Sequence, residues 1–92
     1  MMDEKTQNIQ NDKQQQFFER ARKGVLQHLN DQGGKLNMSE LHEYSLKKYL
    51  IQHQRFSQMM ETFVAQMLVE FDWVTQDVKL TDAGRDFIKK AV

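Results

Sequence analysis

Three histidines, His28, His42 and His53, are the first residues whose type could do chemistry, and the chain has no cysteine to join them. A zinc site needs three or four ligands at compact spacing, and these positions do not have it. His42 and Glu43 are neighbours on different parts of a helix surface, not the His-Glu-x-x-His pair of a metalloprotease. Gly33-Gly34 reads as a helix stop and not as a phosphate-binding loop. No serine, histidine and aspartate constellation is readable, because such triads are assembled in space. The residues therefore predict a non-enzyme, with no catalytic, metal or cofactor-binding group.

The remaining chemistry is electrostatic. Lys13, Arg20 and Lys23 share the outer side of a first helix, and Lys47, Lys48 and Arg55 flank a second. A strip of that kind could hold the phosphate backbone of double-stranded DNA, or face solvent in local pairs with Glu19, Glu40 and Glu43. Lysine plus arginine equals aspartate plus glutamate, 13 against 13, whereas dedicated nucleic-acid binders usually carry a basic surplus. A chain of 92 residues is near the lower end of what a single apolar core stabilises, and without disulfides it must rely on packing, which self-association can assist. Its polar opening is unlike a secretory signal, and no apolar run nears the roughly 20 residues of a membrane span. A soluble, cytoplasmic protein with no membrane partner is expected.

Stepwise along the chain, residues 1–11 read as a disordered polar tail, and residues 12–92 as one domain. A first helix is expected from a cap at Asn11 or Asp12, with Phe17, Phe18, Ala21, Val25 and Leu29 in one stripe. Gly33-Gly34 ends it, and Lys35-Leu36-Asn37 allows a minimal strand. Asn37 or Ser39 caps a second helix ending between Leu50 and Gln54. Ser57 opens a third, carrying Met59, Met60, Phe63, Val64, Met67, Leu68 and Phe71 over about half its circumference. Trp73-Val74-Thr75 and Val78-Lys79-Leu80 predict two paired strands around a tight turn at Gln76-Asp77. Thr81-Asp82 caps a last helix with Gly84, Phe87, Ile88 and Ala91 on one face.

The predicted class is mainly α with a small β-hairpin (α+β), in the order helix, strand, helix, helix, strand, strand, helix. That order resembles the winged helix-turn-helix family. The strongest local match runs from Met67-Leu68-Val69-Glu70-Phe71-Asp72-Trp73-Val74, through a turn, to Val78-Lys79-Leu80-Thr81-Asp82-Ala83-Gly84-Arg85. In that family a Leu-Thr-x-x-Gly segment starts the closing helix after a wing hairpin. Two departures stand out. Asp72 occupies the place after the third helix where the family often has a glycine at positive φ, and the link from Ile51 to Phe56 is longer than the family's turn.

The resemblance implies a DNA-binding transcriptional regulator whose third helix enters the major groove while the wing touches the backbone. Carried over residue by residue, the outward face is Gln58, Glu61, Thr62, Ala65, Gln66 and Val69, of which Gln58, Thr62, Ala65 and Gln66 are suited to meeting base edges. Lys79, at the edge of the wing, joins the strip above as a phosphate contact. Against this, no lysine or arginine occurs from Phe56 to Val78, and residues 57–92 hold four basic and six acidic side chains. The alternative is a winged-helix protein–protein interaction or dimerisation module with no nucleic-acid role.

The apolar residues point the same way. Met38, Met59, Met60 and Met67 cluster around the second and third helices, and methionine adapts readily to a contact surface. Phe17 and Phe18 project about 100° apart on the first helix and cannot both face one core line. A homodimer with Phe17 or Phe18 near the centre of its interface is expected.

Overall fold

The structure is a computed structural model that describes the backbone of residues 2–90 and the side chains of residues 15–90. The element order is α1 (Met2–Asp31), β1 (Lys35–Asn37), α2 (Met38–Tyr49), α3 (His53–Ala65), β2 (Val69–Phe71), β3 (Asp77–Leu80) and α4 (Asp82–Lys90). This is the expected α+β order. α1 starts at Met2, however, within the segment expected to be a disordered tail and well before the cap expected at Asn11 or Asp12. Residues 2–16 contain no glycine or proline and are rich in Gln, a fair helix former, so no strong breaker interrupts the helix.

α1 buries Ala21, Val25, Leu26 and Leu29 completely, and Phe18 packs partly against this core. It ends in a Schellman motif: Gly34 N donates to Leu29 O at 2.9 Å and Gly33 N to Asn30 O at 3.1 Å, with Gly33 at φ 92°. The next cap is Asn37, whose side chain accepts from Ser39 N at 3.0 Å. α2 stops at Tyr49 with Leu50 left-handed, so the link to α3 is only Leu50, Ile51 and Gln52. That is shorter than the expected Ile51–Phe56 stretch, because α3 begins at His53 and not at Ser57.

The C-terminal end of α3 is the larger surprise. Its apolar period suggests a helix through Phe71, yet the helix closes at Ala65 in a second Schellman motif. Leu68 N donates to Phe63 O at 2.9 Å and Met67 N to Val64 O at 3.0 Å. The left-handed residue is Met67, at φ 60°, not Asp72. Leu68 returns to the core beside fully buried Phe63, and the chain leaves as β2.

The sheet is antiparallel in the order β1-β3-β2, with Val69 opposite Leu80 and Phe71 opposite Val78. Trp73 is therefore not Leu80's partner and lies in no strand. The turn is Asp72 to Gln76, longer than the expected two-residue turn, because Asp72 Oδ1 accepts from Val74 N at 2.9 Å and Thr75 N at 3.3 Å. Those backbone donors hold the Asp72 carboxyl below the usual carboxylate range, so the turn is closed by a charged group.

Thr81 caps α4 as expected: its Oγ1 accepts from Gly84 N at 3.0 Å and lies 2.7 Å from Met67 O, to which it donates. Gly84 is buried and faces Leu68, while Phe87 and Ile88 pack partly against the core. Ala91, expected on the same face, lies outside the described residues.

Candidate binding surfaces

The expected reading face lies on α3 only as far as Ala65. Gln58 and Ala65 are exposed on α3, and Glu61 beside them is exposed too. Thr62 Oγ1 is engaged with its own helix, donating to Met59 O at 2.7 Å. The Gln66 side chain accepts from Arg22, which reaches across from α1 and lies over the rings of Phe63 and Phe87 at 5.4 and 5.8 Å. Val69, expected outside, is buried in β2, because the helix that would have turned it outward has already ended.

The described cations among those expected are spread over α1, α2, α3 and β3. Arg20, Lys23 and Lys48 are exposed. Lys47 pairs with Glu43 at 2.9 Å, an exposed contact that raises the lysine pKa and lowers the glutamate's. Arg55 lies over the Phe18 ring at 6.0 Å, and Lys79 stands on β3 between Lys35 and Glu70. The Lys13 side chain lies outside those described.

His28 and His42 are half-buried, and His53 is exposed. His28 stacks on Tyr44 with ring centroids 3.7 Å apart and planes within 2°. His42 lies 5.5 Å from His53 and 4.7 Å from Phe56, with its Nε2 buried and unbonded. Among the described residues no group of three or more His, Cys, Asp or Glu could hold a metal ion. No helix there is long and apolar enough to cross a membrane.

What the chain does assemble is a groove of about 680 Å³ between the start of α2, the length of α3 and the β2–β3 turn. Met38, Phe56, Met60, Val64, Phe71 and Trp73 supply its apolar lining. Methionine 38 N donates to Gln76 O at 2.9 Å, which ties the start of α2 to the hairpin and fixes the two sides of the groove together. Trp73, set against Phe71 edge to face at 4.6 Å, is 84% exposed, and Val74 beside it is 92% exposed. Among the described lining residues there is no lysine or arginine, and the one carboxylate is Glu61. Exposed Glu40 and Asp72 adjoin lining residues Ser39, Phe71 and Trp73 in the chain.

A second, smaller hollow of about 490 Å³ lies between α1 and the α2–α3 link, lined by Phe17, Phe18, Tyr49, Leu50, Ile51, Gln52 and Arg55. Phe17 is 49% and Leu50 78% exposed there. The sequence showed Phe17 and Phe18 as surplus to one core line. The groove was not visible, since its walls come from three elements; the methionine cluster and the missing cations were its only traces. No family model, no curated protein and no solved structure matches this chain.

Proposed function

We propose that this chain is a non-catalytic binding domain of the winged-helix type, and that its groove receives a segment of another protein in place of nucleic acid. The observation that carries this reading is the character of the surface where α3 and the hairpin meet. It is largely apolar and aromatic, His42 and His53 included, and among the described lining residues Glu61 is the one carboxylate and there is no lysine or arginine. Phosphate binding draws its affinity from cations that displace counterions, and acids at the same place oppose it. An open apolar surface rimmed by polar residues instead marks a protein contact, and exposed tryptophan is the side chain most enriched where such contacts concentrate their energy.

The same proposal includes a homodimer. Phe17 and Leu50 leave a second apolar patch uncovered, on the far side of α3 from Trp73.

A duplex titration separates this reading from the DNA-binding one. Fluorescence anisotropy of a labelled duplex at low salt should show no micromolar binding, and Arg20→Glu with Lys47→Glu should change nothing. Micromolar binding that this double reversal weakens would overturn the proposal and restore the regulator reading.

A further inference from the structure

We infer that the partner segment for the groove is basic: apolar anchors flanked by lysine or arginine. This rests on the protein-binding reading above and adds the chemistry of the occupant. The lining has one carboxylate, Glu61, and no cation among the described residues. Glu61 is exposed, midway along α3, with Met60 on one side and Val64 one turn on. Asp72, next to Trp73, stays ionised because its Oδ1 accepts from two backbone amides.

Four other acids among the described residues are paired within the molecule. Glu19 pairs with Arg22 at 3.0 Å, Asp77 with Lys35 at 3.4 Å, Glu43 with Lys47 at 2.9 Å and Asp82 with Arg85 at 3.1 Å. Glu61 and Asp72 appear in no such pair, as Asp31, Glu70 and Asp86 away from the groove do not, so this side of the groove keeps its negative charge. Arg55, one residue from Phe56 in the chain, turns instead toward Phe18 on α1. A segment with acidic flanks would meet like charge beside Glu61 and Asp72, whereas lysine or arginine would find two carboxylates with no cation paired to them. Aromatic walls favour the same sign, since cations settle over the faces of tryptophan and phenylalanine.

The chain's single tryptophan makes the test direct, because Trp73 sits on the groove and its emission reports occupancy. Two synthetic amphipathic peptides with identical leucine positions, one carrying lysines and the other glutamates, are titrated against the full chain. A fluorescent 20-base-pair duplex is the third arm. The lysine peptide should bind one to one at micromolar concentration, shift Trp73 emission to shorter wavelength and outbind the glutamate peptide at least tenfold. Glu61→Gln should reduce that preference severalfold, and Asp86→Asn, an exposed acid on α4, should leave it unchanged. Equal binding of both peptides with the emission shift would overturn the basic-partner inference while leaving the protein-binding reading intact. Failure of both peptides alongside binding of the duplex would overturn both. Loss of preference equally from Glu61→Gln and Asp86→Asn would also sink the inference, as it would mean general charge attraction and not the groove.

Discussion

Gly84 decides how closely α4 lies against the end of α3. A β-carbon there would fall 2.2 Å from the carbonyl oxygen of Leu68 and 2.6 Å from Leu80 Cδ1. The first obstacle is backbone, and that backbone is already held by the Thr81 amide, which donates to Leu68 O at 3.1 Å. Gly24, in the middle of α1, meets a different obstacle: its β-carbon would lie 1.7 Å from the Tyr49 hydroxyl oxygen. Tyr49 is a half-buried side chain that can swing toward solvent, and alanine gains about 1 kcal/mol of helix propensity over glycine at either position. Gly84→Ala should therefore lower stability by about 1–3 kcal/mol, the usual cost of overpacking, while Gly24→Ala should stay within about 1 kcal/mol of the parent. Urea unfolding of the two variants checks this, and the reverse order would refute the account of both contacts.

At the scale of elements, what was legible in the sequence is what is settled locally. The Gly33-Gly34 stop, the Asn37 cap and the Thr81 cap are each decided by one or two residues making bonds a few positions away, and each stands where expected. α3 was misjudged at both ends because neither end carries such a mark. Its N-cap, Gln52, makes no side-chain capping bond, and its left-handed terminal residue is a methionine where a glycine would have signalled the stop. The apolar period then runs on unbroken through Leu68, Val69 and Phe71, which belong to the core and to a strand too short to show its own alternation. The position also carries a prediction. A left-handed conformation costs an L-residue about 1–2 kcal/mol, and Met67 buries little in return, being 75% exposed. Glycine loses more chain entropy on folding, which offsets part of the gain. Met67→Gly should still raise stability by about 0.5–1 kcal/mol, read as a higher urea midpoint with an unchanged slope. A lower midpoint would mean that the exposed methionine makes a contact the strain account omits.

At the scale of the whole molecule, the domain has more apolar surface than its interior uses, and most of the surplus among the described residues lies in two places. The groove beside Trp73 is open to a partner, as argued above. The other patch centres on Phe17 and Leu50, beside a hollow of about 490 Å³ whose floor includes Phe18 and Ile51. Phe18 and Ile51 are drawn toward the core, which leaves Phe17 and Leu50 as the pair left facing out. Knob and hollow stand side by side on one surface, so a two-fold axis through the patch lets each copy's Phe17 or Leu50 enter the other's hollow. Covering large apolar side chains contributes roughly 1.5–3 kcal/mol each, enough for two such residues to move a dissociation constant about a hundredfold or more. Sedimentation equilibrium at tens of micromolar should therefore find a dimer. Phe17→Gln combined with Leu50→Asn should yield a monomer with unchanged circular dichroism, because glutamine suits a helix and asparagine tolerates the left-handed conformation that Leu50 holds at φ 57°. Trp73→Ala, on the other surface, should leave the dimer intact. A parent chain that sediments as a monomer at high micromolar concentration, or a dimer indifferent to the double substitution, would remove this patch as the interface.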